Sequence, residues 1–255
     1  MTIQTTHRPR RILIGVAAVL SLAASLVPAG IATADSGGGA CTLPTSHNST
    51  AYQTYAIQNA TPQPTGVRAT ISEYDPYYTG SNHAGTNQSV FLTYRPPSGS
   101  MAWSQFGWAK WRYRTNGGSD GPTKRQVFLE MYYNNGANNI FQMWTDSAIG
   151  LNREYKILYG SGGYSFYVNG GLYYSSGSVP YGPTTADIES ETHDQADQMP
   201  GGTGNSAVFS GANYTIYPSW QSWSAFTAGI ASNATWGGRS KIGSTYYVWD
   251  TRCSL

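Results

Sequence analysis

One stretch of the chain concentrates side chains that can do acid–base chemistry. Residues 186–194 read Ala-Asp-Ile-Glu-Ser-Glu-Thr-His-Asp. If this stretch is a β-strand, then Asp187, Glu189, Glu191 and His193 point to one face, with same-face neighbours about 7 Å apart. Carboxylates at this spacing raise one another's pKa where water is partly excluded. The pattern predicts a site on this face, and an edge strand blunted with charge is the alternative.

A second stretch carries a polar side chain among small residues and indoles. Residues 101–113 alternate over two faces, as expected for a strand. One face comprises Trp103, Gln105, Gly107, Ala109 and Trp111, and the opposite face comprises Ser104, Phe106, Trp108, Lys110 and Arg112. The first face predicts a shallow floor on which a substrate comes close to Gln105. The alternative is that Gln105 is an ordinary polar surface residue.

The elements that must position these residues are strands. The chain has 255 residues with 20 Tyr, 8 Trp and 30 Gly, and only 11% of the residues are charged. Aromatic-rich, glycine-punctuated and charge-poor sequences favour strands and turns over helices. About ten short runs of alternating residues, and no helical period after residue 34, predict an all-β fold: an antiparallel two-sheet β-sandwich of the lectin-like or jelly-roll type.

The N-terminus has the order of a secretory signal peptide. Arg8, Arg10 and Arg11 precede an apolar run over 12–27, and the small residues at 32–34 follow it. We therefore predict a signal peptide over 1–34, a loose leader over 35–64 and a single sandwich domain over 65–255. The mature protein should be secreted and extracellular, with no membrane partner after the signal is removed, because no second apolar run follows.

Charge and cysteine content narrow the expected partners. Without the signal peptide the chain keeps 12 basic and 13 acidic residues and has no Lys/Arg cluster, so we expect no nucleic-acid partner. Cys41 and Cys253 are the only cysteines, and in an exported protein such a pair predicts a disulfide. No cofactor is expected. His193 with Asp187 or Glu191 could hold a divalent metal, but no second His lies nearby in the sequence, so we expect no metal site.

The order of motifs resembles the neprosin-type secreted peptidases. The resemblance extends from residue 66 to Cys253. The segments that carry it are 66–76 (Gly-Val-Arg-Ala-Thr-Ile-Ser-Glu-Tyr-Asp-Pro), 89–92 (Ser-Val-Phe-Leu), 106–108 (Phe-Gly-Trp), 126–128 (Gln-Val-Phe), 188–191 (Ile-Glu-Ser-Glu) followed by His193, 198–201 (Gln-Met-Pro-Gly) and 246–249 (Tyr-Tyr-Val-Trp). This family has a lectin-like β-sandwich as its catalytic domain, so the resemblance implies the same fold here.

The resemblance also implies a pair of catalytic residues. The family uses two glutamates; the second corresponds to Glu191, whereas the first corresponds to Gln105, and related fungal glutamic peptidases use a Glu/Gln pair. Glu191 would activate water and then protonate the leaving amine, and Gln105 would stabilise the oxyanion. Glu189 and Asp187 would raise the pKa of Glu191, which gives an acidic optimum.

The rest of the implied site and its substrate follow from the same comparison. His193, Trp103, Trp108 and Trp111 would support the site. The substrate would be an extracellular protein or peptide, with a proline-related specificity, and the enzyme would act as a monomer.

Two other functions fit the same residues. The segment from Asp187 to Glu191 resembles the acidic strand of laminarinase-type jelly-roll glycosidases, in which alternate carboxylates act as nucleophile and acid, although that family has one more residue before the last Glu. Retaining hydrolysis places the two carboxyl groups about 5–5.5 Å apart. A catalytically inactive carbohydrate-binding module is the other alternative, with a platform of aromatic side chains: Trp103, Trp111, Tyr173 and Tyr174.

Overall fold

The computed structural model describes ten stretches of the chain. They are residues 40–48, 50–59, 62–78, 85–96, 101–114, 120–133, 140–144, 150–223, 227–230 and 234–254. All of them belong to one unit that spans Ala32–Leu255, and the predicted signal peptide lies outside them. These stretches contain strands and no helix, so none of them holds a helix that could cross a membrane.

The described residues form 17 strands. In chain order they are β1 (Ala40–Cys41), β2 (Tyr52–Asn59), β3 (Gly66–Ser72), β4 (Gly85–Tyr94), β5 (Ala102–Arg114), β6 (Asp120–Tyr132), β7 (Ile140–Trp144), β8 (Asn152–Gly160), β9 (Gly163–Val168), β10 (Gly171–Ser175), β11 (Thr185–Thr192), β12 (Gly202–Thr203), β13 (Ala207–Ile216), β14 (Ser219–Ser222), β15 (Thr227–Ile230), β16 (Gly237–Ile242) and β17 (Thr245–Ser254).

The strands are arranged in two sheets. Sheet A has the order β1-β17-β13-β3-β8-β9-β10, with β12 and β16 also paired to β17 and β14 paired to β13. Sheet B has the order β15-β2-β11-β4-β5-β6-β7. Every pair is antiparallel except β12 with β17. The prediction of an all-β antiparallel sandwich is confirmed.

The apolar core lies between the two sheets. Alternate residues of β11, β4 and β5 point inward from sheet B, among them Ile188, Val90 and Phe106, and meet residues of sheet A such as Ile157 and Phe209. Each large apolar side chain buried in this way contributes about 1.5–3 kcal/mol. Because successive strand residues point to opposite faces, packing the apolar set inward fixes which residues line the outer face of sheet B.

The segment predicted as a loose leader contains a strand of sheet B. Residues 52–59 form β2, which lies between β15 and β11, so the prediction of loose structure is wrong for these residues. Tyr52, Thr54 and Ala56 alternate inward with exposed fractions of 7% or less. Both faces of this strand mix polar and apolar residues, so the sequence shows no clear alternation. The strand forms because β11 supplies its hydrogen-bonding partner over eight register positions.

The predicted disulfide is confirmed, and one hairpin turn agrees with its local sequence. Cys41 and Cys253 form a disulfide between β1 and β17, where the two residues are also paired in register. Asn169 and Gly170, with φ of 48° and 81°, make the turn between β9 and β10, as the Asn-Gly pair predicts.

Candidate active site in a groove on sheet B

The outer face of sheet B forms an open groove with a cavity volume of about 430 Å³. Its walls come from β2, β4, β5, β6 and β11 together with residues that flank them. The lining side chains are Gln53, Tyr55, Ile57, Phe91, Thr93, Arg95, Met101, Trp103, Gln105, Glu130, Asp187, Glu189, Glu191 and His193.

The central strand of the groove is β11. Asp187, Glu189 and Glu191 share its outer face, as the alternation predicts, and their exposed fractions are only 4%, 8% and 4%. β11 is paired along its whole length with β2 on one side and β4 on the other, so the edge-strand alternative is wrong. Three carboxyl groups are therefore held close together with little access to water, in a position where their ionisation must be coupled.

The register shows which residues lie across from each carboxyl group. Asp187 is in a row with Phe91, Gln105 and Glu130. Glu189 is in a row with Ser89, Gly107 and Phe128; Glu191 is in a row with Asn87, Ala109 and Gln126. Ser89, Gly107 and Ala109 in these rows are small, so their side chains leave room above the sheet beside Glu189 and Glu191.

Glu191 is held in its ionised form by three neighbours. Gln53 Nε2 donates to Glu191 Oε1 at 3.0 Å, Asn87 Nδ2 donates to Oε2 at 3.0 Å, and His193 Nε2 lies 3.1 Å from Oε2. Burial raises the pKa of Glu191, but the charge of His193 and these hydrogen bonds outweigh it, so the pKa is lowered overall. Burial likewise lowers the pKa of His193, but Glu191, and then Glu130, raise it overall.

The surroundings of Glu189 favour its protonated form. Burial, and then the charges of Glu191 and Asp187, raise the pKa of Glu189 well above its usual value. Burial also raises the pKa of Asp187 to about 6, although hydroxyl groups of Thr93 and Thr185 donate to its Oδ2. Glu189 Oε1 and Asp187 Oδ1 are buried and have no hydrogen-bond partner among the described residues, which disfavours the ionised form of both carboxyl groups.

Gln105 lies in the same groove as Glu191 but is not adjacent to it. The two residues are separated by β4 and by four register positions, which corresponds to a Cα separation on the order of 16 Å. They are joined indirectly, since Ser89 Oγ donates to Gln105 Oε1 at 3.3 Å and to Asn87 Oδ1 at 3.3 Å, and Asn87 contacts Glu191. Gln105 Nε2 donates to Glu130.

Glu130 is a groove residue that the sequence did not single out. It lies on β6 opposite Gln105, on the outer face, between Leu129 and Met131, which are fully buried in the core. The available signal was a charged residue within the apolar run over 127–132 of this strand. Because the sequence does not reveal that β6 pairs with β5, this signal alone could not assign Glu130 to the groove.

The four aromatic residues that were predicted to form a sugar-binding platform lie in different parts of the structure. Trp103 lines the groove and stacks on Tyr132 with 4.0 Å between ring centroids. Trp111 lies beside the groove, with its ring 6.2 Å from that of His193. Tyr173 and Tyr174 are on β10 in sheet A and pack against the core, so they do not form a platform with the tryptophans.

Trp108 is not part of the groove. Its side chain is fully buried in the core on the inner face of β5, where the guanidinium of Arg125 lies 5.8 Å from the ring centroid. The prediction of a supporting role in the site is therefore wrong for this residue. The reason is the two-residue period of the strand, which sends Trp108 to the face opposite Gln105.

The described residues include no cluster of three or more His, Cys, Asp or Glu side chains suited to a metal ion. His193 pairs with Glu191 instead, and its side chain is 37% exposed. The groove can therefore offer a proton donor, an ionised carboxylate, amide groups and aromatic rings.

Comparisons with known proteins identify similar folds only. No family model matches the chain, and no curated protein matches it. Among solved structures, the chain is similar to a β-glucanase of Bacillus licheniformis, with 13% identity, a TM-score of 0.35, and alignment over 78% of this chain and 70% of that one.

Two further structures are κ-carrageenases. The one from Zobellia galactanivorans has 10% identity and a TM-score of 0.32 over 57% of this chain and 63% of that one. The one from Pseudoalteromonas carrageenovora has 7% identity and a TM-score of 0.30 over 78% and 65%. The chain thus spans less than two thirds of each κ-carrageenase. At such low similarity the likeness concerns the all-β architecture alone.

Proposed function

We propose that this protein is a glycoside hydrolase that cleaves a polysaccharide lying in the groove of sheet B. Glu189 is the general acid that protonates the oxygen of the leaving sugar. Glu191 is the ionised carboxylate, which acts on the anomeric centre as nucleophile or as the base for water. Glycoside hydrolysis requires this division of roles between two carboxyl groups that flank the scissile bond.

One observation carries the proposal: the pKa values of two neighbouring carboxyl groups are shifted in opposite directions. The pKa of Glu189 is raised well above its usual value, and the pKa of Glu191 is lowered. Two titratable groups whose environments separate their pKa values in this way are suited to be an acid and its ionised partner at the same pH. Asp187 supports the assignment because its charge helps to keep Glu189 protonated.

The open shape of the groove favours a polymeric substrate. The lining combines aromatic rings, such as those of Tyr55 and Trp103, with amide groups, such as that of Gln53. Flat apolar rings beside hydrogen-bonding groups are the usual means of binding a sugar ring in a protein site. The predicted signal peptide makes an extracellular polysaccharide the expected substrate.

The peptidase function implied by the resemblance stays a prediction. It requires Glu191 and Gln105 to act on the same water molecule and the same carbonyl group. The separation on the order of 16 Å between their Cα atoms is large for two side chains that must share one water, and an oxygen and a nitrogen of the Gln105 amide already contact Ser89 and Glu130. Glu189 and Glu191 are successive same-face residues of one strand, about 7 Å apart, and this spacing is much nearer to the separation of about 5–9.5 Å between the two carboxyl groups of glycosidases.

The test measures both activities with matched variants. Purified protein is incubated with a panel of neutral and anionic polysaccharides and, in parallel, with a denatured protein, and new reducing ends and new amino groups are quantified. We expect reducing ends only. Glu189→Gln and Glu191→Gln should each lower the rate by at least roughly 100-fold, whereas Glu154→Gln, on β8 of sheet A, should not.

A second measurement separates the two roles. An aryl glycoside with a 2,4-dinitrophenolate leaving group needs no proton from the enzyme, so Glu189→Gln should retain most of its activity on this substrate and Glu191→Gln should not. The proposal fails if no polysaccharide is cleaved, or if both variants cleave polysaccharide at the wild-type rate.

A further inference from the structure

Arg95 is a positively charged side chain at one end of the groove. It follows β4 directly and continues the alternate series of that strand, in which Phe91 and Thr93 line the groove. Its main chain is fixed, because Arg95 N donates to Thr184 Oγ1 at 2.8 Å and Thr184 Oγ1 donates to Thr93 O at 3.2 Å. Arg95 is therefore a built part of the groove wall.

The guanidinium of Arg95 has no hydrogen bond and no ion pair with any residue in the described ranges. Other arginines in those ranges are engaged: Arg125 and Arg153 bind Glu73, and Arg252 binds Asp250. A guanidinium presents five donors in a planar fork that matches a carboxylate or a sulfate group. In Arg95 this fork remains available to a ligand.

The acidic residues of the groove do not occupy Arg95. Its charge lowers the pKa of both Asp187 and Glu189, although burial dominates and both pKa values remain raised. Glu189 keeps its proton to a pH well above that at which an ordinary glutamate ionises, and the carboxylate of Glu191 is paired with His193. An anionic ligand at Arg95 therefore meets little repulsion from the catalytic carboxyl groups.

We infer that Arg95 forms a subsite for an anionic group of the polysaccharide, a carboxylate or a sulfate ester, on a sugar next to the one that is cleaved; this rests on the proposed function. Arg95 is four residues beyond Phe91, which lies opposite Asp187, and this distance is on the order of 13 Å along the strand. The recognised group therefore belongs to a neighbouring sugar. Trp103, opposite Thr93, offers a ring against which that sugar can stack.

The experiment compares charged polymers with their neutral counterparts. The probes are a polyuronate and the same polymer after carboxyl reduction, and a sulfated galactan and the same polymer after desulfation. Wild type, Arg95→Gln and the control Arg239→Gln are compared; Arg239 is exposed on β16 of sheet A, away from the groove. Two readouts are used: kcat/KM for cleavage, and retention in affinity electrophoresis.

We expect wild type to prefer the anionic polymer of one pair over its neutral counterpart. A preference for the polyuronate identifies the group as a carboxylate, and a preference for the sulfated galactan identifies it as a sulfate ester. Arg95→Gln should lower both binding and kcat/KM for that polymer by roughly 10- to 100-fold, and change those for the neutral member by less than about twofold. Arg239→Gln should behave as wild type. Thermal unfolding checks that the exposed substitution leaves the fold intact.

The inference and the proposed function fail in different ways. If neutral polymers are cleaved at least as well as anionic ones, or if Arg95→Gln affects both members of a pair equally, Arg95 is not an anion subsite although the glycosidase assignment stands. If no polymer is cleaved, the glycosidase assignment is wrong, and retention in affinity electrophoresis alone tests the role of Arg95. Equal retention of all four polymers by wild type and by Arg95→Gln then overturns the inference.

Discussion

Glu189 and Glu191 occupy successive outer-face positions of β11, yet the groove raises the pKa of one and lowers the pKa of the other. The difference arises from their hydrogen bonds. Glu191 is bound by Gln53, Asn87 and His193, whereas Glu189 Oε1 is buried without a partner in the described part of the chain. The negative charge of Glu191 also opposes the ionisation of Glu189. The pair therefore retains one proton, on Glu189, which is available for transfer.

The first prediction concerns the pH dependence of cleavage. Glu191 becomes ionised as pH rises through its lowered pKa, below the ordinary value of 4.5, and Glu189 loses its proton only well above 4.5. The profile of kcat/KM should therefore be a bell whose acidic limb lies below pH 4.5 and whose alkaline limb lies well above it. If kcat/KM rises with pH and then shows no fall on the alkaline side, the assignment of Glu189 as the acid is wrong.

The second prediction concerns His193, which favours the ionised form of Glu191. His193→Gln keeps an amide donor but removes the positive charge, so the pKa of Glu191 should rise. We expect the acidic limb of the profile to move to higher pH. His47→Gln is the matched control, because His47 pairs with Asp194 and does not line the groove; its profile should superimpose on that of wild type. A common shift in both variants would show that the effect is not specific to Glu191.

The third prediction concerns the stability cost of the buried acids. The pKa of Asp187 is about 6 in the folded protein and 3.8 when unperturbed. Because the folded pKa is raised, stability is lost as pH rises from about 4 to about 6, by about 3 kcal/mol for a shift of about two units. Asp187→Asn removes this loss and can still accept from Thr93 and Thr185, so it should be stabilising relative to wild type at pH 7.

Urea unfolding at pH 3 and pH 7 measures this effect. The gain of Asp187→Asn over wild type should appear at pH 7 and be absent at pH 3, where both side chains are neutral. Asp75→Asn is the control; Asp75 pairs with Lys110 at 2.8 Å outside the groove lining, and its replacement should give no gain at pH 7. An equal gain at both values of pH would assign the effect to packing instead of ionisation.

The fourth prediction separates the two proposed dyads. If Glu189 and Glu191 carry the chemistry, Gln105→Ala should lower kcat/KM for polysaccharide less than about tenfold, because the Gln105 amide is hydrogen-bonded to Ser89 and Glu130 and not to either of these two glutamates. If Gln105 stabilises an oxyanion instead, its removal should lower kcat for peptide cleavage by about 100- to 1000-fold. Steady-state kinetics on both substrate classes distinguishes the two outcomes.

Much of the groove could be predicted from local sequence patterns. The two-residue period of a strand is a property of the backbone. Asp187, Glu189 and Glu191 therefore had to share one face of their strand, and Trp103 and Gln105 one face of theirs, whatever the strands paired with. The signal of the Asn-Gly turn is equally local. Burial of the apolar face of each strand then determined that the carboxyl groups face outward, because an unpaired charge in the core is costly.

The features that the sequence left open depend on contacts between distant segments. Strand pairing and register put Gln105 opposite Asp187 instead of Glu191, and brought Glu130 into the groove. β2 formed because β11 satisfies its backbone hydrogen bonds. The opposite pKa shifts of Glu189 and Glu191 have the same origin: Gln53, Asn87 and His193 reach Glu191 from separate segments, and the electrostatic environment of a carboxyl group is set by its spatial neighbours, which one-dimensional spacing cannot specify.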